Sequence, residues 1–346
     1  MKKIFAGASI IALGMAAPAY AQNNSDVNQE GASNEATVTQ EGAGNSSDID
    51  QIGDLNRAEV QQQDLNNAAN ISQDSSGGEE FGLIVQHGED SVGTINQTGA
   101  SFSNVATISQ SQTTISNSAT IFQSDSTDGE ARTSQAAGSN SVINVDQGNF
   151  LASGGGGTGA TNARVFVTQH GSDHTATVTQ VGSDQFADVD QMIPGTGNTS
   201  SVSQGTYGGA TSNAYILQIG DGDTAEIAQN SDNNHAEIGQ GGGSGNFSAI
   251  DQGFANGTGL GGDSNVAVSA QDGSGNFSAI SQNQTTTGGM NNADVLQEGT
   301  DNTSFVLQEG SMNMATVNQY DGSTSTVNQS GTSNTVTVNQ GTPPAP

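Results

Sequence analysis

The sequence predicts an all-β chain: a two-sheet β-solenoid of strand-turn-strand rungs, stacked in the cross-β manner with about 22 residues per rung. Three observations carry this. A Gln recurs along nearly the whole chain, most often eleven residues from the last; small and β-branched residues alternate with polar ones ahead of it; Gly-led polar linkers follow it.

The repeat comes first, because self-similarity at a fixed period decides the architecture before composition does. Gln29, Gln40, Gln51, Gln62 and Gln73 fall eleven residues apart, and the register can be followed to Gln340 through twenty-six units. The residue two before the Gln is Val or Ile in twenty-four units, with Thr133 and Ser269 as exceptions. Four before it stands Ala, Ser or Gly in twenty-three units, and six before it Asn in sixteen. Positions two apart lie on one face of an extended chain, and β-branched residues suit a pleated surface, so each unit is one short strand. The linkers begin QEG, QIG, QHG, QTG or QVG and continue with small polar residues that accept turn geometry. Two units close a rung, and thirteen rungs at ~4.8 Å make a rod on the order of 60 Å long.

The fixed positions point inward. They are Asn34, Ala36, Val38 and Gln40, then Asn45, Ile49 and Gln51, then Asn56, Ala58, Val60 and Gln62, then Asn67, Ala69, Ile71 and Gln73. Toward the other end they are Asn313, Ala315, Val317 and Gln319, followed by Asn334, Val338 and Gln340. Stacking sets Val38, Val60 and Ile84 down one sheet and Ile49, Ile71 and Ile95 down the other, and places Glu35 one rung from Arg57. Inward Gln and Asn amides bond to their copies above and below, which removes a burial cost of roughly a few kcal/mol each. The small residue lets the two sheets approach.

Composition alone reads as disordered: 31% hydrophobic residues, 4% aromatic, no Trp and no Cys. The ladder supplies the order that a globular core would otherwise provide. Residues 1–21, MKKIFAGASIIALGMAAPAYA, form a secretory signal peptide with Lys2 and Lys3 ahead of an apolar run and a cleavage site at Ala19-Tyr20-Ala21. Residues 22–341 are the repeat solenoid, with loop insertions near 148–161, 253–264 and 283–290, and 342–346 are a short tail.

Charge and motif exclude several functions. The full chain carries a net charge of −30, and after cleavage only Arg57, Arg132 and Arg164 oppose thirty-five carboxylates, so nucleic acid is not a partner. The acidic excess reads as protection against premature aggregation, and it predicts faster assembly near the pI of about 4.1 than at pH 8. His170 and His174 have no ligand-spaced partners, and His174 replaces an inward Asn. Asp221-Gly222-Asp223 lacks the frame of a Ca²⁺ loop, and the Gly run at 154–157 is not followed by the Lys of a phosphate loop. No catalytic residues, metal site or cofactor are expected, and the chain does not read as an enzyme.

Written out, QEGASNEATVTQ is Q-x-G-x-x-N-x-A-x-V-x-Q. The pattern closely resembles the curlin repeat of the curli amyloid fibre subunits, over nearly the whole mature chain. The resemblance implies a secreted structural subunit that self-assembles as a homopolymer into extracellular fibres at the bacterial cell surface. Such fibres serve biofilm matrix, adhesion and surface colonisation. It also implies a nucleator or companion curli subunit and an outer-membrane secretion channel as partners, and it makes the inward ladder the amyloid core. Here the repeats begin at Asn23, directly after the cleavage site, without the separate leader that curli subunits use for export targeting. The alternative is a monomeric β-solenoid acting as an adhesin or as a polysaccharide- or ice-binding module. Ice binding calls for regular outward Thr arrays, and only Thr175, Thr177 and Thr179 form one. A ladder running from Asn23 to Gln340 with only GTPPAP after it favours polymerisation over a capped monomer.

Overall fold

The computed structural model describes residues 22–75, 78–99, 102–111, 114–148, 160–205, 211–253, 264–283 and 288–342. The expected signal segment, the centres of the three expected insertions (149–159, 254–263 and 284–287) and the tail from 343 onward lie outside the described residues.

Alternation at period two makes every unit a strand, and the turns between units send successive strands to opposite walls. Odd units form a first parallel sheet of thirteen strands, from Asn24–Glu30 to Thr324–Thr332. Even units form a second of thirteen, from Glu35–Gln40 to Thr335–Gln340. The result is the predicted two-sheet solenoid. A two-residue ladder, Thr114–Ile115 with Gly138–Ser139, extends the pairing into one corner. The common step between stacked Gln residues is 22, but it ranges from 21 to 34, so the coil is longer than the basic repeat wherever a corner expands. Register survives each expansion: Gln147 still pairs with Gln180, and Gln135 with Gln169.

Packing follows the pattern. Val105–Gln110 alternates half-buried and buried residues, as do most interior strands. Val38 pairs with Val60 and Val60 with Ile84, while Ile49, Ile71 and Ile95 stack in the first sheet. Interior Val and Ile side chains such as Ile84 and Ile108 are fully buried, each stabilising the fold by about 1.5–3 kcal/mol. A Cβ on Gly82 would lie 3.0 Å from Cγ2 of Ile71, and one on Gly93 only 2.9 Å from Cγ2 of Ile84. The sheets therefore meet as small residue against Ile. Of the two exceptions at the β-branched position, Ser269 accepts a hydrogen bond from the Ser248 hydroxyl at 2.8 Å, whereas Thr133 Oγ1 has no partner among the described residues.

Many corners turn on left-handed backbone at two places. In the first, Gly31 has φ 118° and Ser33 φ 60°; one rung on, Gly53 has φ 109° and Leu55 φ 63°. A Cβ on Gly31 would run into the carbonyl oxygen of Gly53, so stacking as well as dihedral preference selects Gly there. The second left-handed residue directly precedes the inward Asn position and is often Asn, Asp or Ser, as at Asn66, Asp90 and Ser103. Outside, Arg57 Nε lies 3.8 Å from Glu35, as the register predicted, and Glu130 is flanked by Arg132 at 2.6 Å and Arg164 at 3.9 Å.

Candidate assembly site: the buried amide ladders

The Gln that closes each strand does three jobs at once. Gln62 Nε2 donates to Oε1 of Gln86 at 2.9 Å and also lies 2.9 Å from the Ser46 carbonyl and 3.0 Å from that of Asn67. The first bond runs along the stack; the others tie the strand to the opposite sheet. Only an NH2 group can serve those carbonyls, which fixes the amide orientation. The first-sheet ladder runs from Gln29–Gln51 at 2.6 Å to Gln308–Gln329 at 2.8 Å, and the second from Gln40–Gln62 at 2.8 Å to Gln319–Gln340 at 3.0 Å. Every bond between them points toward the later rung.

The Asn six residues earlier clips the corner. Asn34 Nδ2 donates across its own turn to the Glu30 carbonyl at 3.1 Å and to Gly53 of the next rung at 2.8 Å, while its Oδ1 accepts the Asn56 N–H at 3.0 Å. Asn45 and Asn313 repeat the arrangement. Asn56 and Asn67 likewise reach back four residues, to Ile52 and Gln63, and accept from the next rung. Of the sequence-predicted set, Asn45, Ile49, Gln51, Asn56, Ala58, Val60, Gln62, Asn67, Ala69, Ile71, Gln73, Asn313, Ala315, Val317 and Gln319 are buried. Asn34, Ala36, Val38 and Gln40 in the first rung, and Asn334, Val338 and Gln340 in the last, face inward but are only half buried.

Three residues depart from Asn in an informative way. His174 is fully buried; its Nδ1 accepts the Asn198 N–H at 3.2 Å and its Nε2–H donates to the His170 carbonyl at 3.2 Å, so the ring reproduces both functions of the amide. Burial lowers its pKa, which keeps it neutral. Asp223 Oδ1 accepts the Asn246 N–H at 2.8 Å, but Oδ2 has no hydrogen-bond partner among the described residues, and burial pushes the pKa to about 6. Glu80 is 1% exposed; burial raises its pKa to about 7, and the side chain and backbone of Asn104 oppose the rise only in part. The two carboxylates of the Asp221–Asp223 turn thus have different roles. Asp223 is interior, and exposed Asp221 accepts the Thr196 N–H at 2.8 Å. Among the described residues no cluster of three His, Asp or Glu could hold a metal.

Two aromatic rows escaped the sequence reading. Phe166, Phe186, Tyr215 and His235 cross the outer face of the second sheet with neighbouring centroids 5.4–5.8 Å apart. Phe247, Phe277 and Phe305 do the same on the first sheet at 5.1–5.2 Å. The outward Thr175, Thr177 and Thr179 stand between a rung bearing Val142, Asn144 and Asp146 and one bearing Thr199, Ser201 and Ser203, so the Thr array is confined to one strand.

A model of the curlin associated repeat matches residues 22–53, 31–63, 160–192 and 291–320. The chain carries curlin repeats. Each matched stretch spans whole strands, as 160–192 spans Arg164–His170, Thr175–Gln180 and Phe186–Gln191. Between them the same amide ladder continues, through Gln97–Gln123 at 2.8 Å and Gln229–Gln252 at 2.9 Å. No curated protein matches the chain. Curlin repeats on a β-solenoid fit a curli-type structural subunit, and they suggest a structural rather than a catalytic protein.

Proposed function

We propose that the protein is a secreted subunit that polymerises into extracellular curli-type amyloid fibres at the bacterial cell surface, serving biofilm matrix, adhesion and surface colonisation. One observation carries the reading: the Gln ladder of each sheet bonds every rung to the next in the same direction, and most rungs add an Asn that does likewise. Gln donates forward from Nε2 and accepts from behind at Oε1, and Asn accepts the next rung's N–H at Oδ1. A last rung can therefore meet a first rung of another copy as it would meet its own successor. Among the described residues the strands at either end of each sheet pair on one side only, and an unpaired strand edge is a template for another chain. On this reading the amyloid core is the ladder set from Asn34 to Gln340, and a nucleator or companion subunit and an outer-membrane channel complete the pathway.

The test is incubation of the mature chain from Gln22. Thioflavin-positive fibres with reflections near ~4.8 Å and ~10 Å are expected. A folded monomer that stays soluble at high concentration would refute the proposal and favour a surface-binding solenoid.

A further inference from the structure

Along 247–252, 277–282, 303–308 and 324–329 the outward residues of the first sheet include one carboxylate, Asp251, in a chain of net charge −30. Phe247 stacks on Phe277 with centroids 5.1 Å apart and 12° between planes, and Phe305 continues the row at 5.2 Å from Phe277. Beside this ridge lies a trough lined by Ala279, Ser281, Phe305, Leu307, Thr326 and Asn328, with Ala249 in register next to Ala279. Phe305 is 44% and Leu307 partly exposed. By contrast, the first two strands of the same sheet present Asp26, Asp48 and Asp50.

We infer that this ridge and trough form a lateral docking face for a second copy of the chain, so that stacked fibres bundle side by side through it. The inference rests on the fibre reading. The partner follows from charge. Two copies of so acidic a protein repel wherever carboxylates meet, at roughly 1 kcal/mol for a pair ~4 Å apart in water, and this stretch brings few together. The other aromatic row does not qualify, because Asp188, Asp190 and Glu237 surround Tyr215 and His235 and would oppose their own copies. Shape agrees, since a two-fold apposition sets each Phe ridge against the partner's Ala trough. Size determines when the contact forms. Four strands of six residues cover about 400 Å² per partner, half of the roughly 800 Å² per side typical of a stable complex. Single molecules therefore do not pair through it, but a fibre repeats the patch once per subunit and gains by avidity.

The experiment compares mature wild type, the double variant Phe277→Ser/Phe305→Ser, and Ala279→Asp, which adds a charge to the trough and keeps the aromatics. Assembly is followed by thioflavin, and bundle width by negative-stain microscopy at low and high salt. Wild type is expected to bundle, more at high salt, while both variants form fibres of single width. Bundling retained in both variants, or wild-type fibres that stay single, overturns the inference. Absence of wild-type fibres sinks the fibre reading instead. If the double variant makes no fibres, Ala279→Asp decides.

Discussion

Replacing Glu80 with Gln removes a carboxyl from a site that packs like an amide. The group is 1% exposed, with neutral Asn56 and Asn104 on the rungs either side and no compensating opposite charge among the described residues. Burial lifts its pKa from 4.5 to about 7. Because the folded value is raised, the stability it permits is fully present below pH 4.5 and is lost as pH rises through 7. At ~1.4 kcal/mol per pH unit, the ionised form costs the folded rung roughly 3 kcal/mol at pH 8. Hydrogen exchange read on peptides covering Phe81–Gln86, Arg57–Gln62 and Val105–Gln110 measures this locally. Wild type and Glu80→Gln should be equally protected at pH 4.5, with the variant about 100-fold slower to exchange at pH 8. Thr335–Gln340, many rungs away, should not respond. The same pH dependence in both proteins would refute the placement of Glu80 in the ladder.

Two further substitutions probe other parts of the interior. Gln191→Leu removes a donor to Gln218 and Thr175 and an acceptor for Gln169, leaving buried partners unsatisfied. It should cost roughly 4 kcal/mol in urea unfolding, against less than about 0.5 for outward Thr177→Ala, and similar midpoints would contradict the ladder. His174→Asn restores the usual amide. Since burial lowers the His pKa, wild type should lose protection in Thr175–Gln180 as pH falls through that lowered value, and the variant should not.

The architecture was legible because the signal is redundant: closing Gln, β-branched residue, small residue and Asn each mark the same register, so Thr133 or Ser269 could depart without obscuring it. The Glu35–Arg57 contact followed from that register alone. Other features were not legible, for distinct reasons. The left-handed residue before the inward Asn is drawn from Ser, Asp, Asn and Gly, the types any polar turn contains, and Leu55 and Met290 further blur it. Glu80 drew no notice in the sequence and Asp223 entered only as part of the Asp221-Gly222-Asp223 turn, because a carboxylate is seldom buried without a partner. Their place six residues before a Gln was the available clue. The first aromatic row zigzags between two outward positions from rung to rung, while the second keeps one position at Phe247 and Phe277 and shifts only at Phe305. Their members lie 20 to 30 residues apart in sequence and become neighbours only when the rungs are stacked.

The corners make the rod a modular object. Steps of 21 and of 34 residues both return a Gln to its place, so the reach of the molecule is measured by its count of Gln units and hardly at all by its count of amino acids. Copying a pair of units would lengthen the rod by one notch, about 4.8 Å, and leave every existing contact in place. Copying a single unit would exchange the walls occupied by everything after it, which the shared Asn, small, β-branched and Gln grammar of both walls would tolerate. Gene duplication of any whole number of units thus yields a foldable product, and chain length becomes free to drift.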